Sequence, residues 1–118
     1  MAVPRVPTGL VGRMPRGEFG RVWARAEHLA AERGPGDYVL AGVVLTFRWV
    51  AGRVDESPVT HVVCGAMPET VDKEYLAALA AARDVRLHPM RAGIARGAVA
   101  VLGWMGHGGP EPSLAGPA

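Results

Sequence analysis

The sequence predicts an all-α protein in which four mostly antiparallel helices form two similar αα-hairpins with flexible termini. Apolar residues recur at helical spacing in four segments, and short connections at 34–36 and 84–89 join these segments in pairs. The chain also resembles itself at an offset of 55 residues. Repetition of one hairpin favours a bundle, because two hairpins can bury the apolar faces that one alone leaves exposed.

The internal repeat is carried by Trp49 and Trp104 and, at the same offset, by Gly42 and Gly97. Ala-rich segments at 29–33 and 79–83 match at an offset of 50, so the second copy holds five extra residues. The repeat halves are predicted at about 28–60 and 78–115. Ala, Val and Gly dominate the composition, which leaves open whether the repeat is ancestral or compositional. Further aligned pairs are Val44/Val99, Phe47/Leu102, Val50/Met105 and Glu56/Glu111.

Composition predicts one globular domain of 118 residues, with 49% hydrophobic and 20% charged residues. Residues 1–14 contain Pro, Gly and Arg without periodicity, and we expect a flexible basic arm. The helical domain is predicted at 15–106. Residues 107–118 are rich in Pro and Gly, and we expect a disordered tail.

The first helix is predicted from Pro15, a favourable first helical residue, to Arg33, before Gly34-Pro-Gly. Its apolar stripe is Phe19, Val22, Trp23, Ala26 and Ala30. Asp37 is placed to cap the second helix. That helix is apolar nearly all round, with Leu40, Val43, Val44, Phe47 and Val50 on its main face, although residues 39–47 also suit a buried strand.

The third helix is predicted from a capping Thr70 to Arg83, and the fourth over about 90–105. Small residues at 95, 97, 98, 100 and 103 would allow close helix–helix approach. Between the hairpins, the irregular stretch 52–69 contains a β-branched run at 59–64 that suits a short extended segment. Gly106-His-Gly-Gly follows a helix, so we interpret it as a helix terminator and not as a phosphate loop.

Charge is distributed unevenly along the chain, with +4 in residues 1–25, −4 in 26–85 and +2 in 86–118. The chain holds twelve Arg and one Lys and lacks Asn and Gln, which also indicates codon bias. Positive charge near the N-terminus could contact nucleic-acid phosphates. The candidate DNA-contacting residues are Arg13, Arg16, Arg21 and Arg25.

Residues able to support catalysis or metal binding are few. His61 and Cys64 form one His-x-x-Cys pair, whereas zinc sites use three or four ligands. A Cys64-dependent enzyme is the least favoured alternative, and no catalytic residue, metal or cofactor is predicted. Asp55 and Glu56 are adjacent in a loop and are expected to be solvated. The lone cysteine and the short apolar runs predict a cytoplasmic protein without a membrane segment.

The segment from Trp49 to Thr60 resembles a Trp-x-x-Gly…Ser-Pro-x-Thr pattern of small helical proteins of actinomycetes, some carried on integrating or conjugative plasmids. The resemblance implies a regulatory or accessory role. We therefore expect a non-enzymatic regulatory or adaptor protein that acts through macromolecular contacts, as a homodimer and with a possible protein partner. Trp49 and Trp104 are either core residues or partner-binding anchors.

Overall fold

The computed structural model describes residues 16–114, with the side chain of Arg16 left out. It contains four helices, α1 (Arg16–Arg33), α2 (Tyr38–Val50), α3 (Pro68–Arg83) and α4 (Pro89–Gly106), and the predicted all-α fold is confirmed. Within residues 16–114 the only extended pairing is one antiparallel bridge between Glu56 and Val63, inside the predicted irregular stretch. The predicted arm at 1–14 lies outside the described residues.

The first hairpin forms where the sequence predicts it. The α1 stripe is buried from Phe19 to Ala26, and the helix ends at Arg33 because Gly34 adopts a positive φ of 74°. Asp37 then caps α2 by accepting a hydrogen bond from the Leu40 N–H at 3.0 Å. The start predicted at Pro15 lies outside the described residues.

The second hairpin begins earlier than predicted. Helix α3 starts at Pro68, so Thr70 lies within its first turn and is not the residue before the helix. Its hydroxyl still stabilises this end, because it accepts the Met67 N–H at 2.7 Å. Helix α4 starts at Pro89, where the His88 ring nitrogen accepts the Met90 N–H at 3.1 Å.

Helices α2 and α4 form the central pair of the bundle, with α1 packed on α2 and α3 packed on α4. The core lies between them and contains an aromatic group in which the Phe47 ring lies edge-on to Phe19, with centroids 5.0 Å apart. Phe47 and its aligned partner Leu102 are both fully buried. The most deeply buried side chains are Phe19, Val22, Val43, Phe47, Trp49, Val50, Val101 and Leu102.

The central helices cross at the aligned glycines. A Cβ on Gly42 would overlap the carbonyl oxygen of Ile94, and a Cβ on Gly97 would overlap that of Val39. Because Val39 and Ile94 are themselves 55 residues apart, the two contacts are equivalent under the repeat. Reciprocal contacts of this kind are the property of a two-fold axis. Helices α2 and α4 are therefore related by an approximate two-fold axis near the Gly42–Gly97 crossing.

Each hairpin is followed by a segment that returns to the other half of the bundle, and we call residues 56–60 and 111–114 the first and second return segments. The first contacts α3 through Glu74, and the second contacts α1 through Arg21 and Arg33. Leu114 in the second segment is 8% exposed and belongs to the core. Of the tail predicted to be disordered, residues 111–114 thus make apolar and polar contacts with α1, and residues 115–118 lie outside the described residues.

Candidate functional site

A cleft of about 760 Å³ opens beside the N-terminal turns of α2. Leu40 and Val43 are its buried apolar residues, and Tyr38 and Val39 are 36% and 38% exposed. Helix α4 contributes Gly93 and Arg96, and the second return segment contributes Ser113 and Leu114. The remaining lining residues are Arg33, Gly36, Asp37 and Pro89. We call this space the first cleft.

Positive charge predominates at the edge of the first cleft, where Arg33 and Arg96 outnumber the single acidic residue Asp37. Arg33 donates to the Asp37 carboxylate at 3.3 Å and to the Leu114 carbonyl at 3.0 Å. Arg96 is exposed and makes no hydrogen bond or ion pair with residues 17–114. The cleft therefore combines an apolar floor with a solvent-facing guanidinium.

A second cleft of about 310 Å³ occupies the corresponding place in the other half. It is lined by the first return segment, the end of α3 and the start of α4. Pro58 and Val59, which line it, are the aligned counterparts of Ser113 and Leu114 in the first cleft. The lining residues are Pro58, Val59, Thr60, His61, Ala81, Leu87, Met90, Arg91 and Ile94.

Glu74 on α3 holds the first return segment in place through hydrogen bonds. This side chain is 3% exposed, and its carboxylate accepts the Val59 N–H at 2.6 Å, the Thr60 N–H at 3.0 Å and the Thr60 hydroxyl at 2.6 Å. A buried carboxylate needs such donors, because it loses its hydration on folding. Both Glu74 oxygens accept hydrogen bonds from the first return segment, so the role of Glu74 here is structural.

A polar cluster of Glu27, Arg48 and Trp23 joins α1 to α2. Arg48 donates two hydrogen bonds to Glu27, at 2.8 and 2.6 Å, and the Trp23 indole adds one at 2.9 Å. The hydrogen bonds from Arg48 lower the pKa of Glu27 against the opposing effect of burial, and the Trp23 bond lowers it further. The same pair raises the pKa of Arg48. The geometry is that of an interhelical clamp.

The predicted DNA-contacting arginines are not brought together by the described residues. Arg21 forms an ion pair with Glu111 at 2.7 Å, and Arg25 is exposed one turn later on α1. Arg16 begins α1, but its side chain is not described, and Arg13 lies outside the described residues. Of the four predicted positions, Arg25 is thus the one seen as a solvent-facing cation with no partner among residues 17–114.

The two aligned tryptophans lie in different surroundings. Trp49 is fully buried and donates its indole N–H to the Cys64 carbonyl at 2.9 Å, so of its two predicted positions it takes the one in the core. Trp104 is half-buried and lies edge-on to Phe47, with ring centroids 6.4 Å apart. Its role in partner binding stays a prediction.

No hydrogen bond joins the side chains of His61 and Cys64 within the described residues. His61 has a positive φ of 57° and lies 3.6 Å from the Glu56 carboxylate, so Glu56 faces a histidine instead of being only solvated. Cys64 is half-buried, and its main chain bonds Asp55 and Trp49. His107 stacks on Tyr75 with centroids 4.0 Å apart. Among residues 16–114 no three His, Cys, Asp or Glu side chains are grouped to hold a metal ion.

Sequence reasoning missed the first cleft and Glu74. Glu74 could have been found, because it lies between Val71 and Ala78 on the buried stripe of α3, where a carboxylate requires partners. The cleft had no such signal, since its walls come from three distant parts of the chain.

Comparison of the chain with protein-family models, with curated proteins and with solved structures finds no match. None of the four helices is both long enough and apolar enough to cross a bilayer.

Proposed function

We propose that the protein is a non-enzymatic adaptor or regulatory protein that binds a segment of a partner protein in the first cleft. The observation that supports this function is the pairing of buried Leu40 and Val43 with the exposed guanidinium of Arg96 at one opening. An apolar floor supplies affinity through burial, and a charged edge supplies orientation and selectivity.

The chemistry of the cleft indicates the partner segment that it would accept. A volume of about 760 Å³ holds a few side chains and not a folded domain. Arg33 is already engaged by Asp37 and Leu114, which leaves Arg96 as the cation available to a ligand. We therefore propose a short segment with an acidic side chain beside apolar ones.

A displayed library of random twelve-residue peptides tests this function. We expect selection on the wild-type protein to enrich peptides that combine Asp or Glu with Leu, Ile, Val or aromatic residues. Reversal of the charge in Arg96→Glu should weaken the selected peptides about tenfold in fluorescence anisotropy, a typical effect of like-charge juxtaposition at a binding surface.

Arg91→Glu is the matched control, because Arg91 is also exposed on α4 but lines the second cleft. It carries the same change in net charge and should leave the affinities unaltered. Selected peptides without acidic residues, or equal binding by wild type and Arg96→Glu, would contradict the proposed function.

DNA binding through the N-terminal arm remains the alternative proposal. Arg25 supports it, because this side chain faces solvent, whereas the Arg21–Glu111 pair would have to open before Arg21 could contact a phosphate. A mobility-shift titration at low salt tests it, and no retardation at tens of micromolar protein would remove it.

Homodimer formation, a cytoplasmic location and a role in a mobile genetic element also remain proposals. The resemblance at Trp49–Thr60 supports the mobile-element role, and the uneven charge distribution supports self-association. Light scattering at tens of micromolar tests the dimer, which a mass of one chain would contradict.

A further inference from the structure

The two return segments are equivalent under the approximate two-fold axis but differ in how they are held. The first lies between α2 and α3 and donates three hydrogen bonds to the Glu74 carboxylate, whose residue is 3% exposed. The second follows α4 and reaches α1 across the bundle.

A solvent-facing ion pair holds the second return segment at Glu111, whereas the buried side chain of Leu114 holds its other end. The Arg21–Glu111 pair has side chains that are 53% and 46% exposed, and exposed ion pairs contribute little to stability. Leu114 is buried beside the first cleft and gives one carbonyl to Arg33. Gly108, with a positive φ of 70°, and Gly109 lie between α4 and this segment and give it a hinge.

We infer that the second return segment competes with a partner peptide for the surface that it covers. This surface recognises an extended peptide with an acidic residue three positions before a leucine. This inference rests on the proposed function and extends the first cleft along α1. Glu111 and Leu114 mark the two recognised positions, with Arg21 donating to the carboxylate and Arg33 donating to the backbone carbonyl of the leucine.

The geometry suits an extended ligand. Arg21 and Arg33 lie on one helix, twelve residues apart, which corresponds to roughly 18 Å along its axis. Three extended residues from Glu111 to Leu114 span about 10 Å. The long arginine side chains cover the difference, so one short segment reaches both.

A labelled peptide with the sequence of residues 107–114 (His-Gly-Gly-Pro-Glu-Pro-Ser-Leu, amidated) tests the inference by fluorescence anisotropy. The full-length protein carrying Glu111→Lys and Leu114→Ser should release its own segment and bind the peptide. A short tether gives an effective concentration of about 1 mM, so a peptide with a Kd near 100 µM should bind wild type roughly tenfold more weakly than the released variant. Glu69→Lys, an exposed position on α3 that lines neither cleft and carries the same charge change as Glu111→Lys, should behave as wild type.

Charge exchange identifies the recognised pair. Arg21→Glu, introduced into the released variant, should weaken binding of the peptide about tenfold through like-charge juxtaposition, and a peptide carrying Arg at the position of Glu111 should restore it. Glu111→Lys alone, at a solvent-facing position, leaves Leu114 in the core and should shift the peptide affinity in the same direction by a smaller factor. Equal peptide affinity for wild type and both released variants, or loss without restoration in the charge exchange, would overturn the inference.

The two proposals fail separately in these experiments. If displayed peptides bind in an Arg96-dependent manner while the released variants gain no affinity for the octapeptide, the adaptor function stands and the competitor is refuted. If the octapeptide binds as expected but Arg96→Glu changes no selected peptide, the competitor stands and the first cleft is not the partner site.

Discussion

Substitution of Gly97 by alanine should separate the two central helices. An added Cβ would lie 2.5 Å from the Val43 nitrogen and 2.7 Å from the Gly42 carbonyl carbon, and it would overlap the Val39 carbonyl oxygen. All of these atoms belong to the backbone of α2, so no side chain can rotate away. Ordinary contact requires about 3.4 Å or more, and the helices would therefore move apart by about 1 Å.

Two opposing effects determine the magnitude. Alanine in a helix interior is favoured over glycine by about 1 kcal/mol. Overpacking against a rigid backbone costs about 3 kcal/mol or more, since the separation also loosens the core contacts around the crossing. We expect a net loss of about 2–4 kcal/mol in the free energy of unfolding, a large part of the roughly 5–15 kcal/mol of a domain.

Urea unfolding followed by far-UV circular dichroism measures this loss. Gly103→Ala is the matched control on the same helix, because its Cβ would meet Tyr75 at an ordinary 3.7 Å. It should leave stability unchanged or raise it by up to about 1 kcal/mol. Gly42→Ala should destabilise about as much as Gly97→Ala, since the two contacts are reciprocal. A Gly97→Ala protein as stable as wild type would refute the crossing geometry.

Three further changes test the polar contacts and the buried indole. Glu74→Ala leaves the Val59 and Thr60 N–H groups without their acceptor and should cost roughly 2–3 kcal/mol in urea unfolding. Folding lowers the pKa of the Glu27 carboxyl. The contribution of Glu27 to stability is therefore complete above its unfolded pKa of 4.5, and it is lost as the pH falls through the lower pKa of the folded state. Glu27→Gln should flatten the acid limb of the stability–pH curve. Trp49→Phe leaves the Cys64 carbonyl unpaired and should cost about 1–2 kcal/mol, whereas an unchanged unfolding midpoint would argue against burial of Trp49.

Local patterns were sufficient to predict the helices. The stripe from Phe19 to Ala26 and the cap at Asp37 depend on neighbours within a few residues, and both are where the sequence places them. The alignment of Gly42 with Gly97 also pointed to the crossing, because close backbone approach needs the absence of a Cβ. Only the start of α3 shifted, since Thr70 bonds the chain from inside the first turn.

Contacts between residues far apart in the sequence could not be predicted from local patterns. Gly106-His-Gly-Gly-Pro indicates a helix end, but it says nothing of Glu111 meeting Arg21, 90 residues away. The first cleft is likewise built from parts of the chain near residues 33–43, 89–96 and 113–114. No local periodicity marks such a site, because its residues share a surface only after the bundle has formed.

The chain that follows each central helix explains why aligned residues on the two sides of the approximate two-fold axis have different surroundings. Each return segment crosses to the opposite hairpin, so each half completes the core of the other, as two subunits of a dimer would. The chain that follows α2 leads on into α3, and on the way the Cys64 carbonyl covers the indole of Trp49. The chain that follows α4 turns at once, with the Gly109 N–H bonded to Gly103, and leaves Trp104 half-buried. The symmetry therefore fails at the second return segment and its neighbouring cleft, which is where the solvent-facing arginine and the apolar floor lie together.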